Sequence, residues 1–222
     1  MDQVVDFIKK EEPDIMALQE VRAEDAFPDF SYTHFAPEFY HHIDGGRFLT
    51  GNAVFSKYPI TSSSYSHYFE PLGEGYEDRP QMYPVLPRNL QHVQLDVGGK
   101  LLNVFNTHGV WGQDGKDTER RLAVSEKIMA ATEGKNSTVL CGDFNVSENT
   151  RTMLRLEDRF VNVFKNERTT SFNVRRKNPP GTYATTVVDF LFVTPDIKIL
   201  SHVSLDIDIS DHFPLIATLQ ID

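Results

Sequence analysis

The sequence predicts one α/β domain in which short β-strands outnumber the helices. Short apolar runs bounded by Gly, Pro or polar residues recur along the whole chain, whereas helical spacing of apolar residues occurs in only a few segments. A regular βαβ repeat would place a helix after every strand, but helices here separate only some of the strands. We therefore expect an α/β sandwich that forms a single domain over residues 1–222.

Length and composition are typical of a soluble globular protein. Of the 222 residues, 40% are hydrophobic and 24% are charged, and no apolar run approaches the roughly 18 residues of a membrane helix. Cys141 is the one cysteine, so neither an intramolecular disulfide nor a thiolate zinc cluster can form. We expect a monomer without a membrane span in the reducing cytoplasm.

The net charge of -10 argues against broad, sequence-independent wrapping of duplex DNA, which depends on many Lys and Arg contacts to phosphates. It does not exclude a nuclease, because a cluster of catalytic carboxylates contributes to the negative charge and bound cations would offset it.

The first half of the chain predicts one helix and two short strands. Apolar residues at helical spacing over residues 4–8 predict a helix that ends at Pro13. Residues 15–18 and 53–56 predict buried strands, and the segment up to Gly46 between them reads as a loop.

Residues 61–88 predict a long irregular region, because prolines and aromatic residues recur there without a clear period. These aromatic rings either stack nucleobases, line a lipid or sugar pocket, or pack the loop onto the body. The ring-bearing residues are Tyr65, His67, Tyr68, Phe69, Tyr76 and Tyr83.

The second half alternates strands and helices. Residues 90–96 and 101–107 predict a β-hairpin around Gly98 and Gly99. Residues 118–132 predict a helix that stops at Gly134. We further expect a strand at Val139, a short helix at 150–156, and strands at 187–193, 203–209 and 213–219.

Asp143 and Asn145 directly follow an apolar run that ends in Gly142. Because successive side chains of an extended strand alternate faces, we expect both to project to the same side at the end of the strand. A carboxylate and an amide held together can take a hard cation, or hold the water or phosphate beside it.

Glu20 ends a strand on the same face as the apolar residues Met16 and Leu18. A carboxylate that points the way core residues point must be paired, hydrogen-bonded or bound to metal. The alternative is a rim glutamate in a salt bridge. Gln19 points to the opposite face, which favours a neighbour of the site rather than a ligand.

Two histidines and two further aspartates lie at comparable positions. His108 closes an apolar strand and is either functional or a capped strand-end histidine. Asp189 lies in the apolar strand 187–193 and needs a cation or a histidine partner. Asp211 and His212 are either a metal-binding carboxylate beside a catalytic imidazole or turn residues.

Clustering of the four carboxylates would raise several of their pKa values unless a cation compensated their charge. A divalent cation removes this conflict, and oxygen ligands without cysteine favour Mg²⁺ or Mn²⁺. The carboxylates are those of Glu20, Asp143, Asp189 and Asp211.

Six motifs in this order resemble the endonuclease/exonuclease/phosphatase superfamily, the deoxyribonuclease-I-like metal-dependent phosphoesterases. The resemblance runs from about residue 13 to the C-terminus. The motifs are residues 13–21 (PDIMALQEV), 51–60 (GNAVFSKYPI), 106–108 (NTH), 142–145 (GDFN), 188–193 (VDFLFV) and 210–214 (SDHFP).

The resemblance implies a four-layer α/β/β/α sandwich, with two mostly antiparallel sheets face to face and helices outside. It also implies a first strand with a metal-site asparagine ahead of the N-terminal helix, so we expect residues 1–222 to be an N-terminally truncated domain. By the same resemblance, Glu20 is the principal metal ligand, and Asp211 supports the metal or the imidazole. Asp143 orients or activates the attacking water, and Asn145 holds the scissile phosphate. His212 pairs with Asp189 and contacts or protonates the phosphoryl group, and His108 assists at the phosphate or the leaving group.

We therefore expect a Mg²⁺-dependent hydrolase of phosphodiesters or phosphomonoesters. A nuclease specific for DNA or RNA, and a non-catalytic binding domain on the same fold, are the alternatives. The substrate is a nucleic acid, a phospholipid head group or a sugar phosphate. Arg175 and Arg176 either meet a second phosphate of the substrate or lie in a solvated loop.

Overall fold

The computed structural model describes residues 2–43, 46–70, 80–176 and 185–222 of the chain. Its α-helices are α1 (Asp2–Glu11), α2 (Glu119–Thr132) and α3 (Arg151–Glu157), and a 3₁₀ helix spans Pro80–Val85. The strands are β1 (Ile15–Arg22), β2 (Tyr32–Ile43), β3 (Gly46–Ser56), β4 (Ile60–His67), β5 (Asn89–Val97), β6 (Lys100–His108), β7 (Thr138–Asp143), β8 (Val161–Asn162), β9 (Asp189–Val193), β10 (Lys198–Ser204) and β11 (Leu215–Gln220).

The largest sheet has six strands in the order β4-β5-β6-β7-β9-β8, and only its β6–β7 pair is parallel. The facing layer consists of the three-stranded sheet β1-β3-β2 and the two-stranded sheet β10-β11. Among the described residues no strand pairing joins β1 to β11, so this layer is in two parts. Both parts pack onto the same face of the six-stranded sheet, because side chains of β1, β3 and β11 share one apolar core with those of β5, β6, β7 and β9.

Helices cover the outer faces of these layers. Side chains of α2 and α3 pack with the other face of the six-stranded sheet, where Phe105 and Leu140 lie. Ile8 of α1 packs with Phe55 on the outside of the three-stranded sheet. The predicted order helix, sheet, sheet, helix is therefore confirmed. None of the helices in the described ranges is long and apolar enough to span a membrane.

Several segments differ from the sequence-based expectation. The 3₁₀ helix Pro80–Val85 and the short strand β8 were not expected, and the strand expected at 187–193 begins at Asp189. β2 occupies the segment read as a loop, and β4 occupies the start of the region read as irregular. β4 reads ITSSSYSH and lies at the sheet edge with mostly exposed side chains, so it lacks the apolar alternation that marks a half-buried strand. The strand expected at 203–209 lies at Lys198–Ser204 instead. Tyr76 lies outside the described residues.

Candidate active site

Strand register aligns three of the expected site residues in one row. His108 of β6 pairs with Asp143 of β7, and Asp143 pairs with Asp189 of β9. Residues paired across neighbouring strands point to the same face of a sheet. Gly142 is necessary for this row, because a Cβ there would lie 2.0 Å from the carbonyl oxygen of Thr107.

Asn145 reaches the site by a different route from the one expected. β7 ends at Asp143, and Asn145 has a left-handed backbone with φ of 54°. Its backbone N–H donates to Asp143 Oδ1 at 2.7 Å, and its side-chain Nδ2 donates to the Gly109 carbonyl at 3.2 Å. The expected strand alternation is therefore wrong for Asn145, and a turn that asparagine tolerates well places it.

His212 and Asp189 form a hydrogen-bonded pair. His212 Nδ1 lies 2.7 Å from Asp189 Oδ2, and an ionised carboxylate can only accept. Nδ1 therefore carries the proton, which makes Nε2 the proton-accepting atom of the neutral ring. The ring of Phe172 packs edge-on against the His212 imidazole with centroids 4.7 Å apart.

The main chain of Asp189 is held from both sides. Its N–H donates to the Ser171 hydroxyl at 2.9 Å, and its carbonyl accepts a hydrogen bond from Arg168. Ser171 is fully buried, so these bonds are shielded from water. The carboxylate that orients His212 therefore projects from a fixed backbone.

His108 has different partners, Arg88 and Glu38. One guanidinium nitrogen of Arg88, Nη1, lies 2.8 Å from Glu38 Oε2 and 2.7 Å from His108 Nδ1. Nδ1 of His108 also lies 3.3 Å from Glu38 Oε2. Because arginine can only donate, the shorter contact with Arg88 makes Nδ1 an acceptor and places the proton of the neutral ring on Nε2. The side chains of Arg88, Glu38 and His108 are almost completely buried, at 5%, 0% and 3% exposure.

Glu38 is ionised within this buried cluster. Burial by itself raises the pKa of its carboxyl group, but Arg88 and His108 together outweigh burial and hold that pKa below the usual range. The negative charge of Glu38 and the positive charge of Arg88 therefore persist together at neutral pH.

His108 Nε2 faces two carboxylates without contacting either directly. It lies 4.0 Å from Glu20 Oε1 and 3.9 Å from Asp143 Oδ2. Both carboxylates therefore lie on the Nε2 side of the His108 ring. Asp143 also lies close to Asp189 and His212. One carboxylate oxygen of each aspartate and one ring nitrogen of His212 all lie within 4.8 Å of one another. Asp143 thus belongs to both halves of the site.

Glu20 is placed by an irregularity in β1. The pairing of β1 with β3 shifts between Leu18 and Val21, and Glu20 has φ of 57°. Gln19 donates to Asn106 Oδ1 at 2.6 Å, while Asn106 Nδ2 donates to the Leu18 carbonyl at 3.0 Å. These hydrogen bonds connect β1 with β6. The Glu20 side chain is 63% exposed.

The donor set fits a hard divalent cation. Glu20 and Asp143 each supply a carboxylate oxygen within 4.0 Å of His108 Nε2, and the Asp189 carboxylate lies next to Asp143. Such oxygen-rich sets suit Mg²⁺ or Mn²⁺. Asp211 directly precedes His212, and its carboxylate accepts a hydrogen bond from Ser210 at 3.3 Å.

Arg175 and Arg176 lie in ion pairs rather than facing solvent alone. Arg175 pairs with Asp206, and Arg176 Nε lies 2.6 Å from Asp208 Oδ1. Arg175 also donates to Asn173, whose side chain contacts Asp208. The structure thus joins these arginines to the segment that precedes His212.

Sequence reasoning missed Glu38 and Arg88. Both lie in segments read as irregular, so no strand face was assigned to either residue. The available signal was weak: Arg88 directly precedes an apolar strand, and Glu38 is a lone carboxylate among aromatic residues. Cys141, by contrast, is structural, since burial raises the pKa of its thiol to about 12 and the thiol lies 3.6 Å from the Phe105 carbonyl.

Comparisons with known proteins agree with this architecture. A family model described as the endonuclease/exonuclease/phosphatase family matches residues 1–212. None of the curated proteins matches the chain.

Several solved structures are similar. An endonuclease/exonuclease/phosphatase from Bacteroides vulgatus is 22% identical, with a TM-score of 0.72 over 100% of this chain and 90% of that one. The mannosyl-6-phosphatase Bt3783 of Bacteroides thetaiotaomicron is 19% identical, with a TM-score of 0.68 over 99% and 90%. TDP2 of D. rerio, complexed with a single-strand DNA product, is 14% identical, with a TM-score of 0.67 over 99% and 90%. These likenesses confirm the expected fold.

Proposed function

This chain belongs to the endonuclease/exonuclease/phosphatase family, and on that premise we propose that it is a Mg²⁺- or Mn²⁺-dependent hydrolase of phosphate esters. Members of the family are generally hydrolytic phosphoesterases that use a divalent metal. The observation that carries the proposal is the position of Asp143 between two imidazoles with opposite proton placement.

In the proposed reaction, water attacks phosphorus and forms a new P–O bond while the bond to the leaving alcohol breaks. Asp143 orients the water, and His212 Nε2 accepts a proton from it as the new P–O bond forms, while Asp189 stabilises the charged imidazole. The leaving alkoxide takes a proton from solvent, and His212 then returns its proton to solvent.

The remaining residues hold the phosphate. His108 Nε2–H donates to a phosphoryl oxygen, and the Asn145 amide positions the scissile group beside Asp143. Glu20 and Asp143, supported by Asp211, would hold the cation, which neutralises negative charge on the phosphoryl oxygens when bound. Arg175 and Arg176 would meet a second phosphate of the substrate, which requires them to exchange their present partners Asp206 and Asp208.

We propose a small phosphate ester as the substrate, because the net charge of -10 disfavours a polyanion. The likeness to a mannosyl-6-phosphatase supports a phosphomonoester, and the likeness to TDP2 with its DNA product keeps a nuclease as the second candidate. We propose a cytoplasmic location, since the single cysteine suits a reducing compartment. We also propose that the protein is a monomer of one domain.

Hydrolysis of bis-p-nitrophenyl phosphate and p-nitrophenyl phosphate tests the proposal. We expect turnover that needs Mg²⁺ or Mn²⁺, stops with EDTA, and falls by at least about 100-fold in Asp143→Ala. Asp96→Ala is the matched control, because Asp96 lies at the hairpin end of β5, the opposite end from the row of site residues. A folded wild type without metal-dependent turnover would favour a non-catalytic binding domain.

A further inference from the structure

Trp111 and Tyr83 form an aromatic pair, and Trp111 lies two residues after Gly109, whose carbonyl is bonded to Asn145 of the candidate site. Their rings pack edge to face, with centroids 5.6 Å apart and planes at 81°. Both residues are half-buried. Trp111 lies three residues after His108, and Tyr83 belongs to the 3₁₀ helix Pro80–Val85.

A continuous series of contacts connects this pair with His108. Arg88, which bonds His108 Nδ1, also lies over the ring of Phe39 at 5.4 Å. Phe39 packs in one apolar cluster with Leu86 and Tyr83, and Tyr83 contacts Trp111. These contacts leave His108 from Nδ1, the nitrogen on the buried side of the ring, and they fix the aromatic pair to the same buried cluster that orients His108.

Trp111 lies in the loop of residues 109–118 between β6 and α2. Gly109 fixes the side of this loop that faces Phe144. A Cβ on Gly109 would lie 2.0 Å from the Phe144 carbonyl oxygen, so only glycine allows this approach to the turn between Asp143 and Asn145. The Gly109 carbonyl also accepts the hydrogen bond from Asn145 Nδ2. The Trp111 loop and the phosphate-holding amide are therefore positioned by the same residue.

Arg121 of α2 fixes the outer side of the loop. Its side chain is only 1% exposed, and it donates to the carbonyls of Val110 and Lys116. Gly112 packs directly on the guanidinium, since a Cβ there would lie 2.7 Å from a guanidinium nitrogen. Burying a guanidinium is costly unless it is well bonded, and this one is bonded to the loop that presents Trp111.

We propose that Trp111 and Tyr83 form a leaving-group subsite for a small phosphate ester whose alcohol carries a ring with an apolar face, either a sugar ring or a nucleobase. The inference rests on the proposed phosphoesterase function, because it takes His108 and Asn145 as the groups that hold the phosphate. An aromatic surface two residues along the chain from the Gly109 carbonyl that holds Asn145 can stack one ring while His108 and Asn145 hold the phosphate.

Trp111 is the one tryptophan of the chain, so its fluorescence reports the subsite directly. The wild type in EDTA is titrated separately with a hexose 6-phosphate, a nucleoside monophosphate and inorganic phosphate. We expect one of the two ring compounds to change the Trp111 emission at concentrations where inorganic phosphate does not. The compound that does so shows whether the subsite takes a sugar ring or a nucleobase. Emission unchanged by both ring compounds overturns the subsite.

Steady-state kinetics of the metal-loaded protein test the subsite independently of fluorescence. Trp111→Ala should lower kcat/KM by about 10-fold to 100-fold for the better ring-bearing ester. It should leave kcat/KM for glycerol phosphate and inhibition by inorganic phosphate within about twofold of the wild type, while Trp111→Phe retains most of the activity.

Tyr32→Ala is the matched control, because Tyr32 is an exposed aromatic residue far from Glu20 along the sheet. Tyr32 pairs with Ser56 of β3, and Ser56 pairs with Ile15 at the start of β1. An equal loss for ring-bearing and ring-free esters in Trp111→Ala would show a merely structural role and overturn the inference. If the wild type hydrolyses no ester, the proposed function fails, and the fluorescence titration still decides the subsite.

Discussion

The two imidazoles of the site have opposite surroundings. His108 is 3% exposed, and Arg88 donates to its Nδ1 inside a buried cluster with Glu38. His212 is 19% exposed, and its Nδ1 donates to the Asp189 carboxylate. The same side chain therefore presents Nε2–H to the site in one case and an accepting Nε2 in the other.

This difference shows that the partner of Nδ1 decides what a histidine does. The Asp189 carboxylate accepts from His212 Nδ1 and stabilises the charged form of that ring. At His108 the Arg88 guanidinium donates to Nδ1 at 2.7 Å, closer than the Glu38 carboxylate at 3.3 Å, so the Nε2–H of the neutral ring is the donor that faces the site. Asp143 lies between the two rings, where it can meet both the water and the phosphate.

The largest effect is expected on the His212 side. Asp189→Asn should lower kcat by about 100-fold to 10,000-fold, because an amide no longer stabilises the charged imidazole. His212→Ala should cost about as much, and the double variant little more, since the pair acts as a unit. Steady-state kinetics with p-nitrophenyl phosphate measures all three.

Glu167→Gln is the control for that series. Glu167 forms a similar pair with His202, 2.9 Å apart, on the exposed surface. We expect wild-type kcat. Independent, additive losses from Asp189→Asn and His212→Ala would contradict the assigned pair.

The next effect concerns stability on the His108 side. Arg88→Met leaves the buried Glu38 charge uncompensated and should lower the free energy of unfolding by about 3–5 kcal/mol. Chemical denaturation measures this loss. Adding Glu38→Leu to Arg88→Met should restore part of it, because the unpaired charge is then gone.

Arg155→Met serves as the matched control for Arg88→Met, since Arg155 pairs with Glu126 at 2.8 Å on the exposed surface. We expect no resolvable change in its unfolding free energy. Equal stability losses in the two arginine variants would mean that burial of the Arg88–Glu38 pair does not matter.

The smallest effect is a pH dependence of the same cluster. The pKa of Glu38 is lower in the folded protein than the ordinary value of 4.5, so its contribution to stability is present above pH 4.5 and is lost as pH falls through the folded pKa. Glu38→Gln should therefore be less stable than the wild type at pH 7. The difference in unfolding free energy should narrow below pH 4.5, and a constant difference down to pH 3 would argue against an ionised Glu38.

Much of the site was predictable because its residues follow apolar strands directly. His108 and Asp143 each end such a run, so a periodic pattern assigns each a face. Glu20 was assigned a face in the same way, but a register shift in β1 and a left-handed backbone place it. Asp189 was expected inside the strand 187–193, whereas β9 begins at Asp189. Glu38 and Arg88 had no such pattern, because the strand that contains Glu38 is recognisable only by its pairing with β3. Asn145 was expected on the strand face, but a left-handed backbone places it.

The sequence by itself determined the fold class, the family resemblance and the identity of the chemical groups, since these depend on local patterns of apolar and polar residues. The tertiary structure alone decided which nitrogen of each histidine carries the proton. Those partners come from distant segments: Arg88 is 20 residues from His108 and 50 from Glu38, and Asp189 is 23 from His212. Proton placement depends on hydrogen-bond partners in space, and strand register brings those partners together only after the sheets have formed.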